Sequence, residues 1–297
     1  MLRSVFVSSA RWRHLACDFS SLVRVRLCLL VLLTTLVGFL MGRRAVVFPY
    51  STLVVTLVGT ALSASGAAAL NQWWEREWDG CMERTRNRPL PGGRLHPSDV
   101  LIGGILFSLA GIVVLFLFVN KLSATLTIFT VVSYIFLYTP LKRTTSFNTL
   151  VGAVPGALPP LIGCTAAQGQ IGIEGYFLFT TLWLWQVPHF LAIAWIYRHQ
   201  YTKAGFVMLS KKDDSGVITS FQALVYTTLL LIVSLLPVAA GLNTIFYLLP
   251  ALSLGSWLVV QASRFMQERS YANARTLFTS SILYLPLLLG VLLVTKR

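Results

Sequence analysis

The chain reads as long apolar runs separated by short polar segments. A helix needs about 20 mostly apolar residues to cross the hydrocarbon core of a bilayer. Nine runs qualify, at roughly 25–42, 46–70, 99–119, 122–141, 148–167, 174–197, 217–240, 243–263 and 275–295. They are rich in Leu, Val, Ile and Phe, and too long for the strands of a membrane barrel. In lipid each run must satisfy its own backbone polar groups, which a helix does. The expectation is an all-α membrane protein. Nine transmembrane helices would form a bundle around a central cavity, with residues 25–297 as one domain and 1–24 as a tail.

Composition agrees: 56% of residues are hydrophobic and 11% charged, where a soluble domain carries about 25% charged residues. A formal charge of +14 would suit nucleic acid, but the basic residues sit in short loops between apolar runs, so no nucleic-acid partner is expected. Their distribution gives an orientation instead. The segments 1–26, 71–98, 142–147, 198–216 and 264–274, with Arg275 at the mouth of the last run, hold 19 of the 24 Lys and Arg. Arg43, Arg44, Lys121, Lys296 and Arg297 lie on the other side. Positive loops stay in the cytoplasm, which puts the N-terminus inside and the C-terminus outside. The first 26 residues carry arginine and serine with little acid, as a transit peptide does. Their shortness and Asp18 favour a plain cytoplasmic tail. Cys17, Cys28, Cys81 and Cys164 show neither metal-ligand nor disulfide spacing and read as packing residues.

One polar stretch breaks the pattern. Of ten acidic residues, Glu75, Glu77, Asp79 and Glu83 fall within nine positions. Asn71, Glu75 and Asp79 recur every four residues, which on a helix puts them near one face. Two carboxylates and an amide oxygen suit Mg²⁺ when a substrate phosphate completes its shell. Arg84, Arg86, Arg88 and Arg94 follow at once, and guanidinium forks bind phosphate oxygens. The bland alternative is a solvated helix end, but it leaves the adjacent arginines unexplained. Acids for a metal beside arginines for phosphate point to a diphosphate site. Pro89 and Pro91 are expected to end the helix and fix the loop after it.

Asn71-x3-Glu75-x3-Asp79-x2-Met82-x-Arg84-Thr85-x2-Arg88-Pro89-Leu90 resembles the first motif of the intramembrane UbiA-type prenyltransferase superfamily. Within it the closest likeness is to the protohaem IX farnesyltransferase (haem O synthase) family. Tyr138-Thr-Pro-Leu-Lys142-Arg143-Thr144, Pro155-Gly-Ala-Leu-Pro159-Pro160, Trp185-Gln186-Val-Pro188-His189-Phe, Gly205-Phe-Val-Met208-Leu209 and Ala274-Arg-Thr-Leu-Phe278 resemble later segments of that family, so the likeness covers about residues 24–290. It implies transfer of farnesyl from farnesyl diphosphate to a vinyl group of protohaem IX, giving haem O for terminal oxidase biogenesis. Asn71, Glu75 and Asp79 would hold Mg²⁺, with Arg84 and Arg88 on the diphosphate. The likeness implies that Lys142 contacts the diphosphate, with Arg143 beside it. It also implies the bacterial cytoplasmic membrane, or the mitochondrial inner membrane as the alternative. A downstream haem-modifying enzyme or terminal oxidase would be the partner.

The chain departs from the family in places. Relatives often carry Asp at Glu75 and Glu77. Gln200-Tyr201 stands where relatives place Asp-Tyr, which removes a carboxylate from the second acidic motif and with it the case for a second metal. The family's Lys-Pro-Arg before the first span is Arg24-Val25-Arg26 here. His189 lies inside a span beside Pro188. Neutral imidazole suits iron, so given a haem substrate it is a candidate axial ligand, against the commoner role of a hydrogen-bonded structural residue. His199 is a second candidate in a charged loop, while His14 and His96 read as solvated. The tryptophans either line an isoprenoid or porphyrin pocket or form the interfacial belt. Three rivals share part of the pattern: a prenyltransferase acting on a quinone precursor, a phospholipid-type phosphatidyltransferase, whose acidic motif fails at Glu83, Pro97 and Leu101, and a non-enzymatic anion or metal carrier. Repeat symmetry and broken helices at the midplane would favour the carrier.

Overall fold

The computed structural model describes residues 16–44, 49–211 and 213–297. Most of the tail, including His14, and the first residues of the second predicted span lie outside them. Among the described residues nine helices are long and apolar enough to cross a membrane. They are α1 (Val25–Gly42), α2 (Tyr50–Asp79), α3 (Pro97–Phe118), α4 (Lys121–Thr144), α5 (Asn148–Gln168), α6 (Ile173–Ile196), α7 (Val217–Ala239), α8 (Ile245–Gln267) and α9 (Tyr271–Val294). Every consecutive pair is in contact, and α9 closes the ring against α1. The rows of Ile, Leu, Val and Phe left exposed, such as Ile102, Leu106, Leu109 and Val113 on α3, form the lipid-facing surface of an integral membrane protein.

Lipid tails are as apolar as Leu, so helices in a bilayer associate through close packing at small residues. Two seams show this. On α1 and α5, a methyl group on Gly38 would overlap the Pro160 carbonyl, and one on Gly163 the Thr35 carbonyl. On α2 and α3, Gly66 and Gly111 meet the opposite helix at Ser108 and Ser63 in the same way. Both seams belong to helices that carry the polar stretch or face it.

The second helix bears out one expectation and corrects another. It runs on past the apolar span to Asp79, so the whole Asn71–Asp79 run is helical, as its four-residue spacing expects. Pro89 and Pro91 do not end it, because the helix has already stopped at Gly80, nine residues before the first of them. Asp79 then takes a hydrogen bond on its own carbonyl from the Thr85 hydroxyl at 2.8 Å, which folds the next turns back under the helix end. The prolines lie in that loop, where the Pro89 carbonyl accepts the Arg94 amide at 2.9 Å. α4 contains a π-helical stretch, Ser133–Tyr138, just before Lys142. One extra residue in the turn shifts the register of the rest of the helix, and such insertions gather at functional sites.

Of the cysteines, Cys28 and Cys164 are buried packing residues, while Cys17 and Cys81 are exposed and do not pack.

Candidate active site

Each four-residue step along an α-helix turns about 40° past a full circle. Asn71, Glu75 and Asp79 therefore share one face of α2, and that face points inward, with side chains almost fully buried: Asn71 is 0%, Glu75 4% and Asp79 3% exposed. The solvated-end alternative does not describe them, though it does describe Glu77 and Glu83, which are exposed. Buried carboxylates need partners. Lys142, delivered from α4 by the π-helical stretch, donates its ammonium to Glu75 Oε1 at 2.7 Å. Arg88, brought back by the loop after α2, donates to Asp79 Oδ2 at 2.5 Å. Asn71 gives its amide hydrogen to Thr139 Oγ1 at 3.1 Å, and its carbonyl oxygen is buried without a partner.

Glu75, Asp79, Arg88 and Lys142 line a chamber of about 190 Å³ with Arg24, Arg84, Tyr138, Asn148, Thr149 and Tyr201, while Asn71 lies one turn back along α2 and is not on its wall. Arg84 also stands over the Tyr197 ring at 5.7 Å. The chamber's cover comes from two loops: Met82 packs with Ala204 and Phe206, and Tyr201 and Met208 pack against them. The second loop is tied down by Val207, whose amide donates to the Lys142 carbonyl at 2.7 Å and whose carbonyl accepts from Asn148 Nδ2 at 2.8 Å. A second chamber of about 240 Å³ adjoins the first and is mostly apolar, with Leu27, Val31, Ala64, Ala67, Ala68, Tyr134 and the proline-rich face of α5 on its walls. Arg24, Tyr138, Lys142 and Phe190 border both chambers.

Charge in the first chamber is unbalanced toward the positive. Four cations (Arg24, Arg84, Arg88, Lys142) face two carboxylates. Burial lowers the pKa of the Arg88 guanidinium below its ordinary value, Arg24 and Arg84 lower it further, and only Asp79 opposes them. A polyanion would relieve that repulsion. Two carboxylates with the unpartnered Asn71 oxygen form a donor set suited to one hard divalent cation that a phosphate group helps to coordinate.

Arg24 is a site residue that the sequence pattern did not single out. It precedes α1 with φ 51°, the one non-glycine residue in the left-handed region among those described. Its Nε is buried without a hydrogen-bond partner. A non-glycine residue held there is strained, and here the strain turns the guanidinium into the chamber rather than along the membrane surface. The available signal was Arg24-Val25-Arg26 standing where the family has Lys-Pro-Arg. Gln200 Oε1 is also buried and unpartnered, on the short helix Arg198–Lys203.

Other expected site residues are elsewhere. Arg143 stacks its guanidinium on Trp78 at 4.3 Å and is not on the wall of either chamber. Arg86 is exposed, and Arg94 pairs with Asp18 at 2.8 Å. His199 and His96 are exposed. His189 sits between α6 and α9, stacked on Trp185 at 5.0 Å and close to Phe278 at 4.9 Å. Its Nδ1 is 2.8 Å from Ser281 Oγ, and that hydroxyl donates its own hydrogen to the Phe278 carbonyl. Nδ1 must then carry the proton and donate, which leaves the Nε2 lone pair free. His189 does not line either chamber, but its neighbour Phe190 lines both. The tryptophans are likewise absent from both sets of walls.

A family model described as the UbiA prenyltransferase family matches residues 31–283. A relative from Solibacter usitatus is 43% identical over 94% of this chain and 98% of its own length, and one from Opitutus terrae is 41% identical over 94% of each; both are named protoheme IX farnesyltransferase. Among solved structures, one described as digeranylgeranylglyceryl phosphate synthase matches with TM-score 0.80 at 16% identity, over 94% of this chain and 98% of that one. A UbiA homologue from Archaeoglobus fulgidus bound to GPP and Mg²⁺ matches with TM-score 0.64 at 13% identity, over 93% and 99%. At such identities the structural matches speak to fold alone.

Proposed function

The chain belongs to the UbiA prenyltransferase family, and on that footing we propose that it transfers the farnesyl group of farnesyl diphosphate to a vinyl carbon of protohaem IX, giving haem O and diphosphate. The observation that carries the reading is the pair of chambers. A cationic, acid-bearing chamber adjoins an apolar one, and Arg24, Tyr138, Lys142 and Phe190 form walls of both. A prenyl diphosphate has that division between an ionic head and a hydrocarbon tail. The acceptor comes from the relatives that share more than 40% of their residues with this chain and carry the name protoheme IX farnesyltransferase.

Asn71, Glu75 and Asp79 would hold Mg²⁺, and the unpartnered Asn71 oxygen fits that role. When bound, the ion supplies Lewis-acid neutralisation of the diphosphate. The rest falls to the chain's own residues. Arg24, Arg84, Arg88 and Lys142 counter the negative charge that grows on the leaving oxygen as the C–O bond breaks, and they already line the chamber before substrate arrives. The allylic cation left behind lies beyond them, where Tyr134 and Tyr138 stack at 5.6 Å. Aromatic faces attract cations, and the apolar walls keep water away from this one. The haem vinyl group then attacks, and water adds to the cation formed on the vinyl group, with loss of a proton. His189 is the imidazole inside a span, and its free Nε2 is the atom that would ligate haem iron.

The N-terminus faces the cytoplasm in this reading, the host membrane is the bacterial cytoplasmic membrane, and residues 25–297 act as one domain. Haem O passes to a haem-modifying enzyme or a terminal oxidase. The test is mass spectrometry of haems from a haem-O-deficient host expressing the chain. A new haem heavier by one farnesyl group and one hydroxyl group is the expected result. A prenylated quinone precursor with no new haem would overturn the assignment of acceptor.

A further inference from the structure

The site's two carboxylates and two of its four cations satisfy one another. Lys142 holds Glu75 and Arg88 holds Asp79, and none of the four side chains is more than 17% exposed. Among the described residues neither carboxylate accepts a hydrogen bond from any other side chain, and neither Arg24 nor Arg84 makes an ion pair. The Asn71 oxygen has no partner.

A ligand that draws on one member of a pair strands the other. A divalent cation on Glu75 and Asp79 would leave Lys142 and Arg88 as buried cations without counterions, beside Arg24 and Arg84. A diphosphate on Lys142 and Arg88 would leave two buried carboxylates facing its own negative charge. Breaking a buried pair from one side is costly because of the charge left behind. A cation and a diphosphate arriving together give every one of the four charges a new partner.

We propose that Glu75–Lys142 and Asp79–Arg88 form an interlock through which the site takes up a divalent cation and a diphosphate together, and either one alone only weakly. The inference rests on the metal–diphosphate reading above and adds a binding rule to it. The rule has a consequence for catalysis: the allylic diphosphate is not engaged by the leaving-group cations until the metal is also present, which guards against unproductive occupancy by metal-free diphosphates or monoanionic lipids.

The test is calorimetric titration of the full-length protein in lipid nanodiscs, with melting temperatures alongside. The probes are Mg²⁺ alone, inorganic pyrophosphate in EDTA, and pyrophosphate in the presence of Mg²⁺. The wild type should bind each of the first two at least about tenfold to a hundredfold more weakly than the pair, a coupling of ordinary size for linked sites. Because Mg²⁺ and pyrophosphate also associate in solution, two variants isolate the protein's part. Glu75→Gln frees Lys142 and should bind pyrophosphate in EDTA at least tenfold more tightly than wild type. Lys142→Met frees Glu75 and should bind Mg²⁺ alone at least tenfold more tightly. If Mg²⁺ affinity in the wild type changes less than threefold with pyrophosphate, or if neither variant gains its single ligand, the interlock is wrong. If folded wild type binds no combination at all, the metal–diphosphate reading fails and the interlock with it.

Discussion

Asp79→Asn removes one charge and keeps the shape, at the point where the loop after α2 is pinned to the helix end. In the wild type Asp79 Oδ2 accepts the Arg88 hydrogen bond at 2.5 Å, with 4% of the acid side chain and 17% of the arginine exposed. The substitution leaves Arg88 facing Arg24 and Arg84 with its counterion gone. Removing one partner of a fully buried pair costs about 3–5 kcal/mol. The chamber is open enough to leave Arg88 partly exposed, so solvent screening should reduce this to about 2 kcal/mol. Arg88→Gln in the same background removes the stranded charge. A double-mutant cycle on thermal or denaturant unfolding in detergent should then return a coupling of about 2 kcal/mol. Activity separates from stability in this cycle. If Asp79 holds the metal, pyrophosphate release should fall on the order of a hundredfold or more in Asp79→Asn and stay low in the double variant, although its stability recovers. A double variant whose destabilisation equals the sum of the singles would refute the pairing. Near wild-type turnover of Asp79→Asn at low Mg²⁺ would refute the metal role.

Four further outcomes are expected. His189→Ala should weaken haem binding while leaving farnesyl diphosphate binding intact, and His189→Met should shift the bound-haem absorbance; unchanged spectra and affinity in both would leave His189 as the structural partner of Ser281. Gln200→Asp should be tolerated and lower the Mg²⁺ concentration needed for half-maximal rate, because it adds a charge where an amide oxygen now has no partner; complete loss of activity would show that Gln200 faces something other than the metal. Gly163→Val should cost about 1–3 kcal/mol through overpacking, since its side chain would run into the Thr35 carbonyl of α1, and an unchanged melting temperature would count against the α1–α5 seam. Asp213 stands before α7 with its carboxylate accepting the Thr219 amide at 2.7 Å. Burial pushes its pKa up, but the Thr219, Ile218 and Ser215 hydrogen bonds outweigh it and hold the group below the usual carboxylate range. The stability it adds is therefore complete above the ordinary Asp value and lost as pH falls through the depressed one; Asp213→Asn should flatten that acid limb of the stability profile, and an unchanged limb would contradict the assignment.

The number of spanning helices and their class are legible in the chain alone, because a bilayer makes length and apolarity sufficient criteria and forbids lipid-exposed open backbone. So is the face shared by Asn71, Glu75 and Asp79, since a four-residue recurrence is a local property of any helix. The pattern located the arginines of the site but could not sort them. Arg84 and Arg88 line the chamber, Arg143 stacks on Trp78, and Arg94 pairs with Asp18. Nothing local distinguishes these four, because each fate depends on what another segment presents to it. The end of α2 at Gly80 rather than at the prolines was decided by the Thr85 bond to Asp79 and the return of Arg88. Lys142 reaches Glu75 across 67 residues of sequence, after a π-helical turn that no periodicity foretold. Arg24 enters the chamber through a backbone conformation that an arginine does not adopt unaided, so only the surrounding tertiary structure, which over-determines that strain, could place it there.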